Sequence, residues 1–270
     1  MKSGYKNMNA ADKKRVYILD IIRGILIIYV VYYHFMYDLN DIMGHEIGYL
    51  YSEWFSTMRD CMSGSLIFIS GISCNFSRNN IKRGARTSLI AILLSTVTAV
   101  VMPSQTILFG ILHLLGMMML MYGLGELAAN KIRRKKVQKK EASMPVRVVL
   151  MSVFLILFFV CRNVYYGWLT FGNFRLYLPD VLYGGSNGFL YIMGFWQRLS
   201  SADYYPLIPW GFLFLAGAMI GRIFKSDRLP RFMYMNFCPP LAFIGRHTMI
   251  IYLAHQPILL GIFMLAQKLV

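Results

Sequence analysis

Acidic residues are scarce in this chain, which has 12 Asp and Glu residues against 28 Lys and Arg residues among its 270 positions. Charged residues of both signs make up 15% of the sequence, whereas an ordinary soluble domain carries roughly 25%. This shortage of charge excludes an average soluble domain, a charged disordered chain and a Glu-rich coiled coil. Hydrophobic residues are abundant, at 57%, and they predict a helical protein that crosses a membrane several times.

Residues that bind metal ions in recognisable patterns are also lacking. The four cysteines show no CxxC or other ligand spacing, so buried free thiols are expected. Outside the pair His34 and Asp38, no histidines or carboxylates share a ligand spacing on one helix. No internal repeat of the kind found in many transporters is present, and no small-residue cleavage site follows the first apolar run. We therefore expect no metal site, and a first apolar run that stays in the membrane as an anchor.

Apolar runs set the predicted architecture, because a spanning helix needs about 20 mostly apolar residues. The runs cover approximately residues 16–37, 62–76, 87–102, 106–129, 148–165, 206–224 and 241–269. The second run is short and would need a longer, partly polar start near Arg59. The sequence thus predicts an all-α fold, a polytopic transmembrane helix bundle of about seven spans, formed by one membrane domain over residues 16–270.

The net charge of +16 is of the size found in nucleic-acid-binding proteins, but the positions of the basic residues indicate another origin. They are concentrated in alternate loops, including a tail at residues 1–15 and a linker at residues 131–147. The loop from Asp38 to Tyr51 contains no Lys or Arg. The positive-inside rule places the amino terminus in the cytoplasm and, with seven spans, the carboxyl terminus outside. The predicted partner is therefore the lipid bilayer, with no nucleic acid.

The predicted external loop at residues 166–205 is rich in aromatic residues and glycine. Two interpretations are open. Tyr and Trp side chains commonly form a belt at the membrane–water interface. The same side chains could instead form a lid or a platform on which a sugar stacks.

Ionisable side chains inside apolar helices are costly and therefore mark candidate functional positions. On the first helix, His34 lies about 16 Å beyond Arg23 along the axis, and Asp38 follows His34 by one turn on the same face. A carboxylate at this position would hold the imidazole in one tautomer, as a general base requires. The alternative is a helix end at which both side chains face water.

Other polar positions are candidates for binding a substrate. Asp20 and Arg23 are one turn apart at the cytoplasmic end of the first helix, either as a structural pair or as a phosphate site. His113 and His255 lie in apolar helices, where they would line a cavity or bond to a neighbouring carbonyl. Gln256 precedes Pro257, whose missing N–H favours a kink at which polar side chains line a cavity.

Two further candidates lie outside these positions. Arg246 begins the last predicted helix on the cytoplasmic side, where it would bind phosphate or extend to the membrane surface. His45 lies in the external loop after the first span, where exposure to solvent is the simplest expectation.

Five motifs follow one another from the first predicted span to the last. They are DIIRG at residues 20–24 with His34 and Asp38, FISGIS at 68–73, FGILH at 109–113, YPLIPW at 205–210 and GRHTMIIYLAHQP at 245–257. Together they resemble the heparan-alpha-glucosaminide N-acetyltransferase-like family of integral-membrane acyltransferases, over essentially the whole chain.

The resemblance implies an acyltransferase of the plasma membrane. In such enzymes acetyl-CoA from the cytoplasm donates its acetyl group to an amino sugar or other glycan on the external side, and a histidine near the outer face takes part in the chemistry. Motif position assigns this role to His34, with Asp38 beside it. The lysosomal enzyme of the family carries its histidine in the following loop, at a distance like that of His45, so both histidines remain candidates.

The placement of the polar side chains also suggests roles in binding. Arg23 and other cytoplasmic cations such as Arg246 would hold the phosphates of acetyl-CoA, with Asp20 beside Arg23. His113, His255 and Gln256 would polarise the thioester carbonyl or hold the acceptor, and Trp210, in the fourth motif, joins this set.

Some alternatives remain open. A homodimer is a further expectation from the family that no sequence feature supports. O-acylation of a surface polysaccharide, a proton-coupled transporter whose histidines relay protons, and a structural protein are the other interpretations.

Overall fold

The computed structural model describes residues 15–41, 43–135, 143–199, 201–226 and 229–269. Residues 1–14 of the predicted basic tail and 136–142 of the predicted linker lie outside the described residues. The α-helices are α1 (Tyr17–Asp41), α2 (Glu53–Cys74), α3 (Asn80–Val101), α4 (Ile111–Lys135), α5 (Met144–Cys161), α6 (Gly188–Met193), α7 (Leu207–Lys225), α8 (Pro239–Arg246) and α9 (Thr248–Leu269). Two short strands, β1 (Trp168–Phe171) and β2 (Phe174–Tyr177), form an antiparallel hairpin.

The predicted fold class, an all-α polytopic helix bundle, is confirmed. Six of the described helices are long and apolar enough to cross a membrane, namely α1, α3, α4, α5, α7 and α9. α2 has 22 residues but carries Glu53, Arg59 and Asp60 in its first half, and it is not among these six. The predicted count of about seven spans and the side on which each terminus lies therefore stay predictions.

The structure corrects several predicted boundaries. The last predicted span is two helices, because the backbone leaves the helical conformation at His247 (φ −102°, ψ 13°) between α8 and α9. α3 begins earlier than predicted because the side chain of Asn79 accepts a hydrogen bond from the backbone N–H of Lys82 and caps the helix. α2 also begins earlier than its apolar run, at Glu53, whose negative charge suits the first turn of a helix.

The predicted aromatic loop at 166–205 is largely structured. It contains the β1–β2 hairpin, a short 3-10 helix at Asp180–Leu182 and α6. The fully buried Gln197 donates its amide to the carbonyls of Leu182 (2.7 Å) and Trp196 (2.9 Å) and accepts the N–H of Asn187 (3.2 Å). These bonds connect distant parts of the loop and fix its conformation.

The described chain divides into two compact units. The terminal unit contains the described residues up to Ser63 and from Ser226 onward, and the central unit contains Gly64–Lys225. The boundary falls inside α2. The prediction of one membrane domain over residues 16–270 stays a prediction.

In the terminal unit, α1 packs against α8 and α9. The α1–α8 contact is close because glycine lies on both helices: a Cβ added to Gly245 would meet the carbonyl of Asp20, and one added to Gly24 would meet the carbonyl of Leu241. Small residues allow such backbone contacts between membrane helices. The fully buried side chains of Ile27 and Phe55 lie in this unit.

In the central unit, α3 packs against α4 and α5 packs against α7. The second half of α2 meets α7, where the Asn75 side chain donates to the carbonyl of Ala218 (2.9 Å). Phe214 and Ile67 are fully buried there.

Candidate active site

The polar face of α1 lies against α9 in the terminal unit. The imidazole rings of His34 on α1 and His255 on α9 have centroids 4.9 Å apart, with their planes inclined at 55°. Tyr33 approaches His34 edge to face, with centroids 5.6 Å apart. His255 is 7% exposed and His34 is half-buried. Two histidines that are far apart in the sequence thus form one pair, with His255 buried and His34 half-buried.

One turn further along α1, Asp38 meets the neighbour of His255. The Gln256 side-chain amide donates to both carboxylate oxygens of Asp38, at 3.2 Å each. Asp38 is 4% exposed, and no cationic side chain pairs with it within the described residues. The carboxylate is therefore buried with an amide as its partner.

The expected hydrogen bond between His34 and Asp38 is not among those found in the described part of the chain. The two side chains share a face of α1, as predicted, but Gln256 of α9 engages the carboxylate instead. The ring of His34 meets His255 rather than the carboxylate. The catalytic roles of His34 and Asp38 stay predictions.

His255 is oriented by the backbone of its own helix. Its Nδ1 lies 2.6 Å from the carbonyl oxygen of Tyr252. A carbonyl only accepts hydrogen bonds, so Nδ1 carries a proton and, in the neutral ring, Nε2 carries the lone pair. The buried Nε2 of His255 and Oε1 of Gln256 have no hydrogen-bond partner among the described residues. Buried polar atoms are nearly always bonded, so these two atoms are candidates to contact a ligand.

Charged side chains gather at the start of α1. Asp20 is 5% exposed and lies 2.6 Å from Arg15 Nε and 3.6 Å from Arg23 Nη1. The hydrogen bond to the Asp20 carboxylate raises the pKa of Arg15 above its usual value. The predicted pair of Asp20 and Arg23 thus exists, with Arg15 as a third member that the sequence reasoning did not include.

Arg246 lies at the end of α8 in the same unit. Its Nε donates to the carbonyl of Ala242 (3.2 Å), and its guanidinium carbon lies 5.9 Å from the centroid of the Phe243 ring. Its side chain is exposed, and the predicted role in phosphate binding stays a prediction.

His45 is exposed in the loop between α1 and α2. Its Nδ1 lies 3.3 Å from the carbonyl oxygen of Met43, and its backbone N–H donates to the carbonyl of Leu39 (3.4 Å). Its ring is not among those that contact the His34–His255 pair in the described residues. His34 therefore occupies the more enclosed of the two predicted catalytic positions.

His113 and Trp210 lie in the central unit. His113 Nδ1 accepts the N–H of Gly110 (3.3 Å), so Nε2 carries the proton and donates to Ser95 Oγ (3.1 Å). The Ser95 hydroxyl in turn donates to the carbonyl of Ile107 (2.5 Å). Both ring nitrogens are therefore used within the chain, which favours a structural role. Trp210 packs against other aromatic rings, namely Tyr205 at 5.0 Å and Phe158 at 5.5 Å between centroids.

An aromatic cluster around the second half of α1 was missed from the sequence. Phe55 at the start of α2 lies at its centre, stacked on Tyr33 at 5.5 Å and edge to face with Tyr49 at 5.3 Å. Tyr49 also shares a 3.1 Å hydrogen bond with Tyr32 of α1. The high content of Tyr in both segments was visible, but no local pattern predicts which rings meet across a loop.

The described residues contain no group of three or more His, Cys, Asp or Glu side chains that could hold a metal ion.

These features define the class of the protein. Several helices are apolar enough to cross a membrane, and two of them bring histidine, carboxylate and amide side chains together in a buried place, as in membrane proteins that bind or convert a ligand. Comparison with known families matches residues 15–257 to the family described as "Heparan-alpha-glucosaminide N-acetyltransferase, catalytic". The chain belongs to this family of membrane acyltransferases. No curated protein and no solved structure matches it.

Proposed function

We propose that this acyltransferase moves an acetyl group from cytoplasmic acetyl-CoA to an amino sugar or other glycan on the external side of the plasma membrane. The observation that carries the proposal is the buried pair of His34 and His255 beside Asp38 and Gln256. Family membership supports the reaction type. The arrangement supports it because acyl transfer needs a group that accepts a proton from the attacking nucleophile.

The donor is proposed to bind along α1. Arg23, and Arg246 at the end of α8, would hold its phosphates, since guanidinium groups bind phosphate oxygens well. Asp20 orients Arg23 through their 3.6 Å ion pair. A long, thin donor would then extend its thioester the roughly 16 Å from Arg23 to His34.

The reacting end is proposed to lie at His34. Its imidazole would take the proton from the acceptor or carry the acetyl group as a covalent intermediate. His45 remains the alternative catalytic position. The predicted binding roles of His113 and Trp210, which lie in the central unit, stay predictions.

A buried carboxylate supports an amine rather than a hydroxyl as the attacking group. Burying a charge is costly unless it is paired, and Asp38 has no cationic partner in the described residues. A protonated amine would supply both the missing charge and N–H donors. This favours an amino sugar over the hydroxyl of a polysaccharide.

The test uses the purified full chain in lipid nanodiscs with radiolabelled acetyl-CoA. Glucosamine and glucose form a matched pair of probes that differ in one amine. We expect transfer to glucosamine, a loss of about 100-fold or more in kcat for His34→Ala, and a raised glucosamine KM for Asp38→Asn. Transfer at the wild-type rate by His34→Ala would refute its assignment. Proton-coupled uptake in proteoliposomes without consumption of acetyl-CoA would favour a transporter.

A further inference from the structure

The ring of His255 has the geometry of a general base. Its Nδ1–H is held by the Tyr252 carbonyl at 2.6 Å, which fixes both the tautomer and the orientation of the ring. The remaining nitrogen, Nε2, is buried and has no partner in the described residues. Catalytic histidines need one nitrogen oriented by an acceptor and the other free to take a proton. The sequence predicted this arrangement for His34 with Asp38, and the structure has it at His255 with a backbone carbonyl.

We propose that His255 is a second catalytic residue, whose Nε2 accepts the proton of the attacking amine, and that Gln256 is a positioning residue that holds the Asp38 carboxylate beside it. This inference rests on the proposed function. The fixed hydrogen bond at Nδ1 separates it from His34, which has ring contacts but no such orienting bond in the described residues.

The chemical step balances without a further reactant. The ammonium of the acceptor first gives one proton to the Asp38 carboxylate, which later releases it to solvent. The neutral amine nitrogen then forms a bond to the acetyl carbonyl carbon while a second proton passes to His255 Nε2. The C–S bond of the thioester then breaks, and the proton passes from Nε2 to the departing thiolate sulfur. The products are the N-acetylated acceptor and CoA with a free thiol, and His255 returns to its starting tautomer.

In this arrangement His255 replaces His34 as the group that accepts the proton, and His34 has a separate part. In the described residues, the titratable rings that contact His255 are His34 (4.9 Å between centroids) and Tyr252 of its own helix (5.4 Å). The Asp38 carboxylate is bonded to the adjacent Gln256. A neutral His34 leaves Nε2 of His255 able to accept a proton, whereas a positive charge on His34 would oppose the formation of a second imidazolium. We therefore expect kcat to fall when acidification protonates either imidazole ring. Protonation of His255 should set the acid limb of the profile of kcat against pH.

The test compares His255→Gln with wild type and with His247→Gln, all in nanodiscs, using acetyl-CoA and glucosamine over a range of pH. Glutamine keeps an N–H donor for the Tyr252 carbonyl but cannot take up a proton. We expect kcat to fall about 100-fold or more, the acid limb of the profile to disappear, and the acetyl-CoA KM to stay near the wild-type value. His247→Gln should retain the wild-type kcat and acid limb.

The outcomes separate this inference from the proposed function. If wild type transfers acetyl groups and His255→Gln does so within about threefold with an unchanged pH profile, the inference is wrong and the proposed function stands. If wild type transfers no acetyl group to amines, the proposed function fails and the inference falls with it. If His255→Gln does not fold, His255→Ala with added imidazole replaces it, and rescue of kcat by imidazole is the expected result. Absence of rescue in the folded His255→Ala protein would overturn the inference.

Discussion

The side-chain amide of Gln256 lies 3.2 Å from each carboxylate oxygen of Asp38 and joins the last helix of the chain to the first. The bond is buried, with Asp38 only 4% exposed. Buried hydrogen bonds to a charged group are among the stronger ones in proteins. This contact therefore holds α1 and α9 in register and places the histidine pair one turn away.

The first prediction concerns this contact. Gln256→Leu leaves the buried carboxylate without its donor, so we expect a loss of about 1.5–3 kcal/mol in the free energy of unfolding. In the double variant with Asp38→Leu, the loss should be smaller than the sum of the single losses because no unpaired charge remains. Chemical unfolding in detergent, followed by tryptophan fluorescence, measures all four proteins. Additive losses would show that the two residues do not interact.

A second prediction concerns the α1–α8 contact. In Gly245→Ala the new methyl group would meet the carbonyl of Asp20, and the two helices must separate to admit it. We expect a loss of about 1–3 kcal/mol and a lower Tm. Gly261→Ala on α9 is the matched control, since nothing lies within 4 Å of its added Cβ, and it should not lower the Tm. Equal Tm values for the two variants would contradict the close packing.

The third prediction separates structural from catalytic histidines. Both nitrogens of His113 are bonded, to Ser95 and to Gly110, so His113→Ala should cost about 1–3 kcal/mol of stability while the folded protein keeps a kcat near that of wild type. Activity is normalised to the folded fraction from size-exclusion chromatography. A large fall in kcat at unchanged stability would instead assign His113 to substrate or donor binding.

A fourth prediction concerns stability in alkaline solution. Burial raises the pKa of Tyr191 in α6 to about 12, whereas an unfolded tyrosine ionises near 10. The folded protein therefore binds the proton more tightly, so this contribution to stability is fully present below about pH 10 and is lost as the pH rises towards 12. Tyr191→Phe should reduce the fall in Tm over this range. An identical fall in both proteins would contradict the buried position of the hydroxyl.

The sequence was informative where structure follows local pattern. The run at 16–37 predicted α1, and spacing by one turn correctly put His34 and Asp38 on one face of it. Contacts between distant segments were beyond it. Gln256 and Asp38 are 218 positions apart. Hydropathy indicates that a helix is buried in lipid or protein, but it does not indicate which helices are neighbours.

The remaining differences also have physical causes. The break at His247 between α8 and α9 occurs inside a continuous apolar run, where hydropathy gives no sign of it. The Thr248 hydroxyl donates to the Gly245 carbonyl (2.7 Å) beside the break. The partly polar start of α2 was predicted near Arg59, and the helix begins earlier, at Glu53, because Glu53, Arg59 and Asp60 lower its hydropathy without disfavouring a helix.

The assignment as an acetyl-CoA-dependent acyltransferase is tested most directly by the binding of acetyl-CoA to the purified protein in detergent, measured by thermal shift and calorimetry. This measurement needs no knowledge of the acceptor. CoA and adenosine serve as control ligands, and the Arg23→Ala variant tests the role of Arg23 in binding. We expect saturable stabilisation by acetyl-CoA that adenosine does not reproduce and that Arg23→Ala weakens. No stabilisation of the folded protein at millimolar acetyl-CoA would contradict the assignment as an acetyl-CoA-dependent acyltransferase.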